Sequence, residues 1–180
     1  MGLMPAKCHR KMEPKPYTRK ATKVVKKAFV RGIPGSKIHV FDMGNKKKRD
    51  WKWQIDMVAE ESLQLRHNQL EAARVTINAY LTKKVTKPLF YFKFRAHPHH
   101  IMRENPLATG AGADRFQRGM RQSFGKPVGY AARVKAGSNI LSIFLDDLKY
   151  LPDVKQALRL ASNKMSGTHR VEVKEFGKLI

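Results

Sequence analysis

The sequence predicts an α+β fold, with two helices packed on one side of a mostly antiparallel sheet. Three observations carry that expectation. Short stretches in which apolar and polar side chains strictly alternate recur along the chain, the mark of half-buried strands. Two longer stretches, Ser62 to Val85 and about Pro152 to Met165, place apolar residues at helical spacing. Strands and helices are mixed rather than alternating one for one, as a doubly wound parallel sheet would need.

Taken in order, residues 1–30 carry nine cations, Lys7, Arg10, Lys11, Lys15, Arg19, Lys20, Lys23, Lys26 and Lys27, against the single acid Glu13. Three prolines and the lack of apolar periodicity predict a basic arm that lies along phosphates and becomes ordered on binding. A single RNA-binding domain is expected over residues 31–180. Lys37 to Phe41 reads as a short strand, entered by Gly32-Ile33-Pro34-Gly35 and left by Asp42-Met43-Gly44. The run Lys46-Lys47-Lys48-Arg49 then forms a turn suited to phosphate contact. Trp51 to Val58 alternates with Trp51, Trp53, Ile55 and Met57 on a core face and Lys52, Gln54 and Asp56 opposite.

The first helix is expected from Ser62 to about Val85, with Leu70, Ala73, Ile77 and Leu81 buried and His67 at the surface. Glu60, Glu61 and Glu71 near its start and Lys83, Lys84 and Lys87 near its end suit the helix dipole. Leu89 to Arg95 is a strand with Phe90, Phe92 and Phe94 on one face. Val128 to Val134 and Ile140 to Leu145 read as a hairpin closed by Ala136-Gly137-Ser138-Asn139. The second helix follows Asp146-Asp147, lined by Val154, Ala157, Leu158, Ala161 and Met165, and Arg170 to Lys174 ends the chain as a strand.

Between the strands lies a long loop, about residues 98–126. Its prolines and glycines forbid one continuous helix or strand. Its cations Arg103, Arg115, Arg118, Arg121 and Lys126, with Arg95 just before it, outnumber Glu104 and Asp114. Loops this long in a compact domain are usually functional. Gly110-Ala111-Gly112 lets backbone N–H groups approach phosphates closely, and the arginines that follow suit bidentate phosphate contacts and stacking on unpaired bases.

Charge decides the class of partner. A formal net charge of +23 on 180 residues is self-repelling and is sensible beside a polyanion. Nucleic acid leads. A membrane surface is less well supported, because no basic amphipathic helix with an aromatic face stands out. The single cysteine, Cys8, excludes an internal disulfide framework and a cysteine-based zinc site. With no secretory signal and with Pro5, Pro14 and Pro16 breaking any transit helix, the expected compartment is the cytosol.

His97-Pro98-His99-His100 raises a metal site or an RNA-processing enzyme using Asp114, but alternation and Pro98 turn the imidazoles apart. Imidazoles that stack on or hydrogen-bond RNA fit better. No nucleophile with a base, and no phosphate-binding glycine motif, supports catalysis or a cofactor. A chromatin-type DNA binder is the remaining alternative.

Several blocks are familiar as a set. They are Arg31-Gly32-Ile33-Pro34 with Lys37-Ile38 and Phe41-Asp42-Met43-Gly44; Leu70-Glu71-Ala72-Ala73-Arg74; Arg95-Ala96-His97-Pro98-His99-His100; and Ala113 to Met120 with Arg121 and Phe124-Gly125-Lys126-Pro127. In this order and spacing the chain resembles the universal large-subunit ribosomal protein family called L-ten-e in archaea and eukaryotes and L-sixteen in bacteria. It looks like an archaeal member, with few cysteines and no long C-terminal tail. The resemblance implies a hammerhead-like α+β sandwich with a structural, RNA-binding role. It also implies a seat at the base of the central protuberance on large-subunit (23S-type) rRNA, with 5S rRNA and other ribosomal proteins nearby. Transfer RNAs in the A and P sites would be faced by a loop of about residues 102–112, including Met102, Arg103, Glu104, Asn105, Gly110 and Gly112. The expected RNA-binding residues are Lys7, Arg10, Lys11, Arg19, Arg31, Lys46, Lys47, Lys48, Arg95, His97, His99, Arg103, Arg115, Arg118, Arg121 and Lys126. No cofactor and no catalytic residue are expected.

Overall fold

The computed structural model describes residues 4–18, 20, 24–105, 120–121 and 123–175. Eight strands and two helices follow one another as β1 (Asp42–Gly44), β2 (Trp53–Ala59), β3 (Leu63–Arg66), α1 (His67–Lys84), β4 (Phe90–Phe94), β5 (His100–Glu104), β6 (Lys126–Val134), β7 (Asn139–Leu145), α2 (Leu151–Ser162) and β8 (His169–Glu175). The fold is α+β, as expected, but the strands divide between two antiparallel sheets. One has five strands in the order β1-β4-β7-β2-β8, and the other has three in the order β3-β6-β5.

The larger sheet follows from alternation. Across it, Met43, Phe92, Ile143, Ile55 and Val173 stand in one row, and Phe94, Leu141, Met57 and Val171 stand in another row of the same face. Helices α1 and α2 cover this face. Leu70, Ala73, Ile77 and Leu81 of α1 and Val154, Ala157, Leu158 and Ala161 of α2 are fully buried against it in one cluster with Phe90, Phe92 and Phe94. Leu63, Leu65, Ala132 and Val134 of the smaller sheet join the same cluster, so both sheets share one core.

Several sequence expectations shift. Lys37 to Phe41 is not a strand; the strand is Asp42–Gly44, where the turn was expected. Gly44 has φ +80 and backs onto the Phe90 carbonyl, so only a residue without a Cβ lets β1 lie this close to β4. The first turn expected of α1 is instead β3, because Leu63 and Leu65 alternate with Gln64 and Arg66 and pair with β6. Glu60 and Glu61 therefore precede a strand, and no acid lies in the first turn of α1. Instead, Gln69 Oε1 accepts the Arg66 N–H at 3.0 Å at the helix start.

Asp56, expected toward solvent, is fully buried, because β8 pairs on the far side of β2. Its carboxylate accepts bonds from Gln54 Nε2 at 2.8 Å and Asn139 Nδ2 at 3.0 Å, with Lys174 Nζ at 3.5 Å. The turn after β6 closes no hairpin. Gly137 N–H donates to the Ala59 carbonyl and Ala59 N–H to the Ser138 carbonyl, at 2.8 and 3.1 Å, so the turn carries the chain from the small sheet into the large one.

Candidate nucleic-acid interface

The small sheet explains how the basic N-terminal segment is held. Its outer face carries polar side chains that are nonetheless covered: Gln64, Arg66 and His100 are all under 9% exposed. Residues 4–17 cross that face as a strap. At the β3 edge, Gln64 N–H donates to the Arg10 carbonyl at 2.9 Å, and Gln64 Nε2 donates to the carbonyls of His9 and Lys11 at 3.2 and 2.9 Å. Arg66 donates to the Met4 carbonyl at 2.8 Å, and in the middle of the sheet Arg133 donates to the Glu13 carbonyl at 2.7 Å. At the β5 edge, Ile101 N–H donates to the Tyr17 carbonyl at 2.9 Å, and Tyr17 N–H donates to His100 Nδ1 at 3.0 Å. Two sheet edges that would otherwise be bare are thus closed by one segment.

The strap sorts its charges. His9, Glu13 and Tyr17 turn inward. His9 meets Glu104 at 2.6 Å, and Glu13 lies 3.6 Å from His100 and 3.7 Å from Arg103. The Arg103 guanidinium is stacked between the rings of Tyr17 and Phe124, 4.2 and 3.9 Å from their centroids. Arg10 pairs with Glu61, whose carboxyl this hydrogen bond holds below the usual carboxylate range. The strap's outward charges are cationic: Lys7, Lys11 and Lys15 are exposed on it, and Lys20, just beyond it, is exposed with its ammonium 4.3 Å over the Tyr130 ring. The segment expected as a basic arm along phosphates is thus tied through its backbone over residues 4–17, with ammonium groups presented to solvent.

Other expected RNA-binding residues fall in three groups. Arg31, Lys46, Lys47, Lys48, Arg95, His97, His99, Arg121 and Lys126 are exposed. Arg10 and Arg103 are partly buried in the pairings above, so they brace the strap. Arg19, Arg115 and Arg118, with Gly110, Gly112 and Asp114, lie outside the described residues. Of the loop residues, Met102 is 2% exposed and, with Arg103 and Glu104, belongs to β5, so these three form the stem and the loop begins at Asn105.

The histidines diverge. The His97 ring rests on Phe41 with centroids 4.4 Å apart, His99 Nδ1 donates to the His97 carbonyl at 2.9 Å, and His100 is buried under the strap. Among the described residues no group of histidines, acids and cysteine could hold a metal ion. His67, expected at the surface, is buried. Its Nδ1 accepts the Lys37 N–H at 2.8 Å, and its Nε2 faces Gly129, where an added Cβ would lie 2.6 Å away. Burial, helped by Lys37 and Arg66, lowers its pKa. Sequence reasoning missed this because a lone histidine at the start of a polar helix carries no periodic signal.

Fold and charge together define a class, a strongly basic α+β domain suited to lie against a polyanion. The particular family is given by comparison. The chain belongs to the ribosomal protein L16p/L10e family, whose profile matches residues 15–172. It is 41% identical over 180 residues to the large ribosomal subunit protein uL16 of Archaeoglobus fulgidus, covering 100% of this chain and 98% of the relative. It is 42% identical over 171 residues to the uL16 of Methanoculleus marisnigri, with 95% of each chain covered. The uL16 of Staphylothermus marinus is 40% identical over 174 residues, covering 97% of this chain and 95% of the relative. The family is structural rather than enzymatic, so the enzyme reading through His97, His99, His100 and Asp114 falls away.

Proposed function

We propose that this protein is a structural constituent of the large ribosomal subunit, acting in the cytoplasm and bound to large-subunit rRNA among neighbouring ribosomal proteins. The observation that carries the reading is the strap. Its inward groups close the small sheet, while Lys7, Lys11 and Lys15, with Lys20 just beyond it, are exposed where a phosphate backbone can lie. In this reading residues 1–30 are the RNA-facing arm of a domain formed by residues 31–180. Arg31, Lys46, Lys47, Arg95, Arg121 and Lys126 are further exposed cations that RNA can engage. Phosphate neutralisation of this kind releases counterions, so affinity falls with salt in proportion to the cations engaged.

We further propose the finer placement that the resemblance implies. The protein sits at the base of the central protuberance with 5S rRNA nearby, and the loop from Asn105 through Gly110 and Gly112 faces transfer RNA in the A and P sites. Two measurements test this. Changing Lys7, Lys11, Lys15 and Lys20 to Gln is expected to flatten the log–log salt dependence of rRNA binding by about 0.7–0.9 per lysine engaged; an unchanged slope overturns the strap reading. Deleting residues 105–112 is expected to leave folding and rRNA affinity intact while impairing translation; normal translation by subunits carrying the deletion overturns the loop's role.

A further inference from the structure

The connection from β1 to β2, residues 45–52, borders a groove of about 430 Å³ at the β1–β4 side of the large sheet, opposite the helices. Three aromatic residues line it: Trp51, Tyr91 and Phe144. Tyr91 and Phe144 face each other across β4 and β7, stacked with centroids 5.4 Å apart and planes 22° from parallel. The Tyr91 hydroxyl is already engaged, donating to Asp42 Oδ1 at 2.7 Å, and its ring is the half-buried one of the three, with Trp51 and Phe144 only 4% and 5% exposed behind it. Trp51 is held by its own indole N–H, which donates to the Lys48 carbonyl at 3.0 Å. The rim is cationic: Lys46, Lys48, Arg49 and Lys93 surround the rings, and Lys48 Nζ stands 5.0 Å from the centre of the Trp51 ring.

We infer that this groove takes one unpaired nucleotide of the bound RNA, its base against the aromatic side of the groove and its phosphate against the rim lysines. The inference rests on the RNA-binding reading above and deepens it by naming what one part of the surface recognises. A duplex backbone would need the cations but has no use for an aromatic wall, because its bases are already stacked on one another. An acidic peptide segment would likewise use the cations and leave the rings unused. A splayed-out base uses both, since every base has a π-face and each carries a phosphate. The volume lies within the ~300–1,000 Å³ of ordinary small-ligand clefts. Lys48 covers the Trp51 ring and pairs with Asp146; as a flexible ammonium it can exchange both partners for a phosphate without moving the strands.

The test uses the full chain and a six-nucleotide oligoadenylate, read by tryptophan fluorescence. Trp51 lines the groove, and Trp53 stands on the opposite, helix-covered face. Saturable quenching is expected. An abasic hexamer of the same charge is expected to bind at least about fivefold more weakly, and Tyr91→Ala to weaken the oligoadenylate about tenfold, as loss of one base–ring stack does. Tyr91→Phe, which keeps the ring, is expected to stay within about twofold of wild type. Should Tyr91→Ala not fold, Lys93→Gln replaces it, with loss for the oligoadenylate and none for the uncharged nucleoside adenosine. Equal affinity for the abasic and base-bearing hexamers overturns the inference in favour of a plain anion site. Displacement by polyglutamate as effective as displacement by oligoadenylate overturns it in favour of an acidic protein partner. Filter binding of large-subunit rRNA separates the two levels: rRNA affinity that is intact while base-dependent quenching is absent sinks the pocket alone, whereas loss of wild-type rRNA binding sinks the reading beneath it.

Discussion

The five-stranded sheet buries one face under two helices through ring-on-aliphatic packing, whereas the three-stranded sheet has an outer face closed by an N-terminal strap through carbonyls, arginines and a histidine. In the first, Phe90, Phe92 and Phe94 are fully buried and need no partner in particular, only volume. In the second, polar side chains are tied to particular partners: Gln64 to residues 9–11, Arg66 to Met4, Arg133 to Glu13 and His100 to Tyr17. A core of the first kind tolerates shape changes that keep volume, while a polar layer of the second kind fails when one partner leaves. The difference also decides what faces outward. The strap, with its one acid Glu13 set against His100 and Arg103, leaves Lys7, Lys11 and Lys15 facing solvent.

Four perturbations sharpen that contrast. The largest effect is expected from Phe92→Ala, which opens a cavity between β4 and the helices and should cost about 3–5 kcal/mol in urea unfolding; a loss under about 1 kcal/mol would place Phe92 outside the core. Next, Gly129→Val forces a side chain into the space of the His67 ring. It should cost about 1–3 kcal/mol, as overpacking does, and in a His67→Ala background most of that cost should disappear.

Removing residues 1–20 is expected to act locally, at about 1 kcal/mol for each hydrogen bond lost. Amide exchange should quicken at Gln64 and Ile101, the edges the strap closes, and stay slow at Ile143 in the centre of the large sheet. Uniform acceleration at all three would mean the two sheets do not differ in the way described.

The smallest effect is pH dependence near neutrality. Burial lowers the pKa of His67, His100 and His169, with Lys37 and Arg66 adding to it at His67, and with Arg133 and His99 adding and Glu13 opposing at His100. The unfolded chain then takes up protons first as pH falls. Stability from these groups is full above about pH 6.5, the ordinary histidine value, and declines as pH drops through the lowered folded values. Two of the three histidines belong to the small sheet and its borders, so acid should loosen Gln64 and Ile101 before Ile143. Thermal melting that is flat from pH 7 to 5 would contradict neutral, buried imidazoles.

The Phe90-Phe92-Phe94 alternation and the Leu70-Ala73-Ile77-Leu81 spacing fixed a strand and a helix and their buried faces, because a period of two or 3.6 reports which side of an element meets the core. The cationic excess likewise pointed to a polyanion, and the blocks from Arg31 to Pro127 pointed to the family. Local pattern did not reveal the polar contacts. Gln64 and Arg66 fall inside the expected first helix with no sign of their polar partners, because these are Met4 to Lys11 arriving from the chain start, and His67 depends on Lys37 in the same way. Tyr91 and Phe144 carry no joint signal 53 positions apart; the β4–β7 register alone sets them side by side.

The sequence by itself determined the α+β class, the two helices, the core-facing aromatics and a basic surface, all of which follow from composition and short periodicity. Tertiary structure alone decided that the strands form two sheets, that the turn at Gly137 leads from one to the other, and that the N-terminal cations ride on a fixed strap. Those features rest on hydrogen bonds and ring contacts between residues distant in the chain, which no local period encodes.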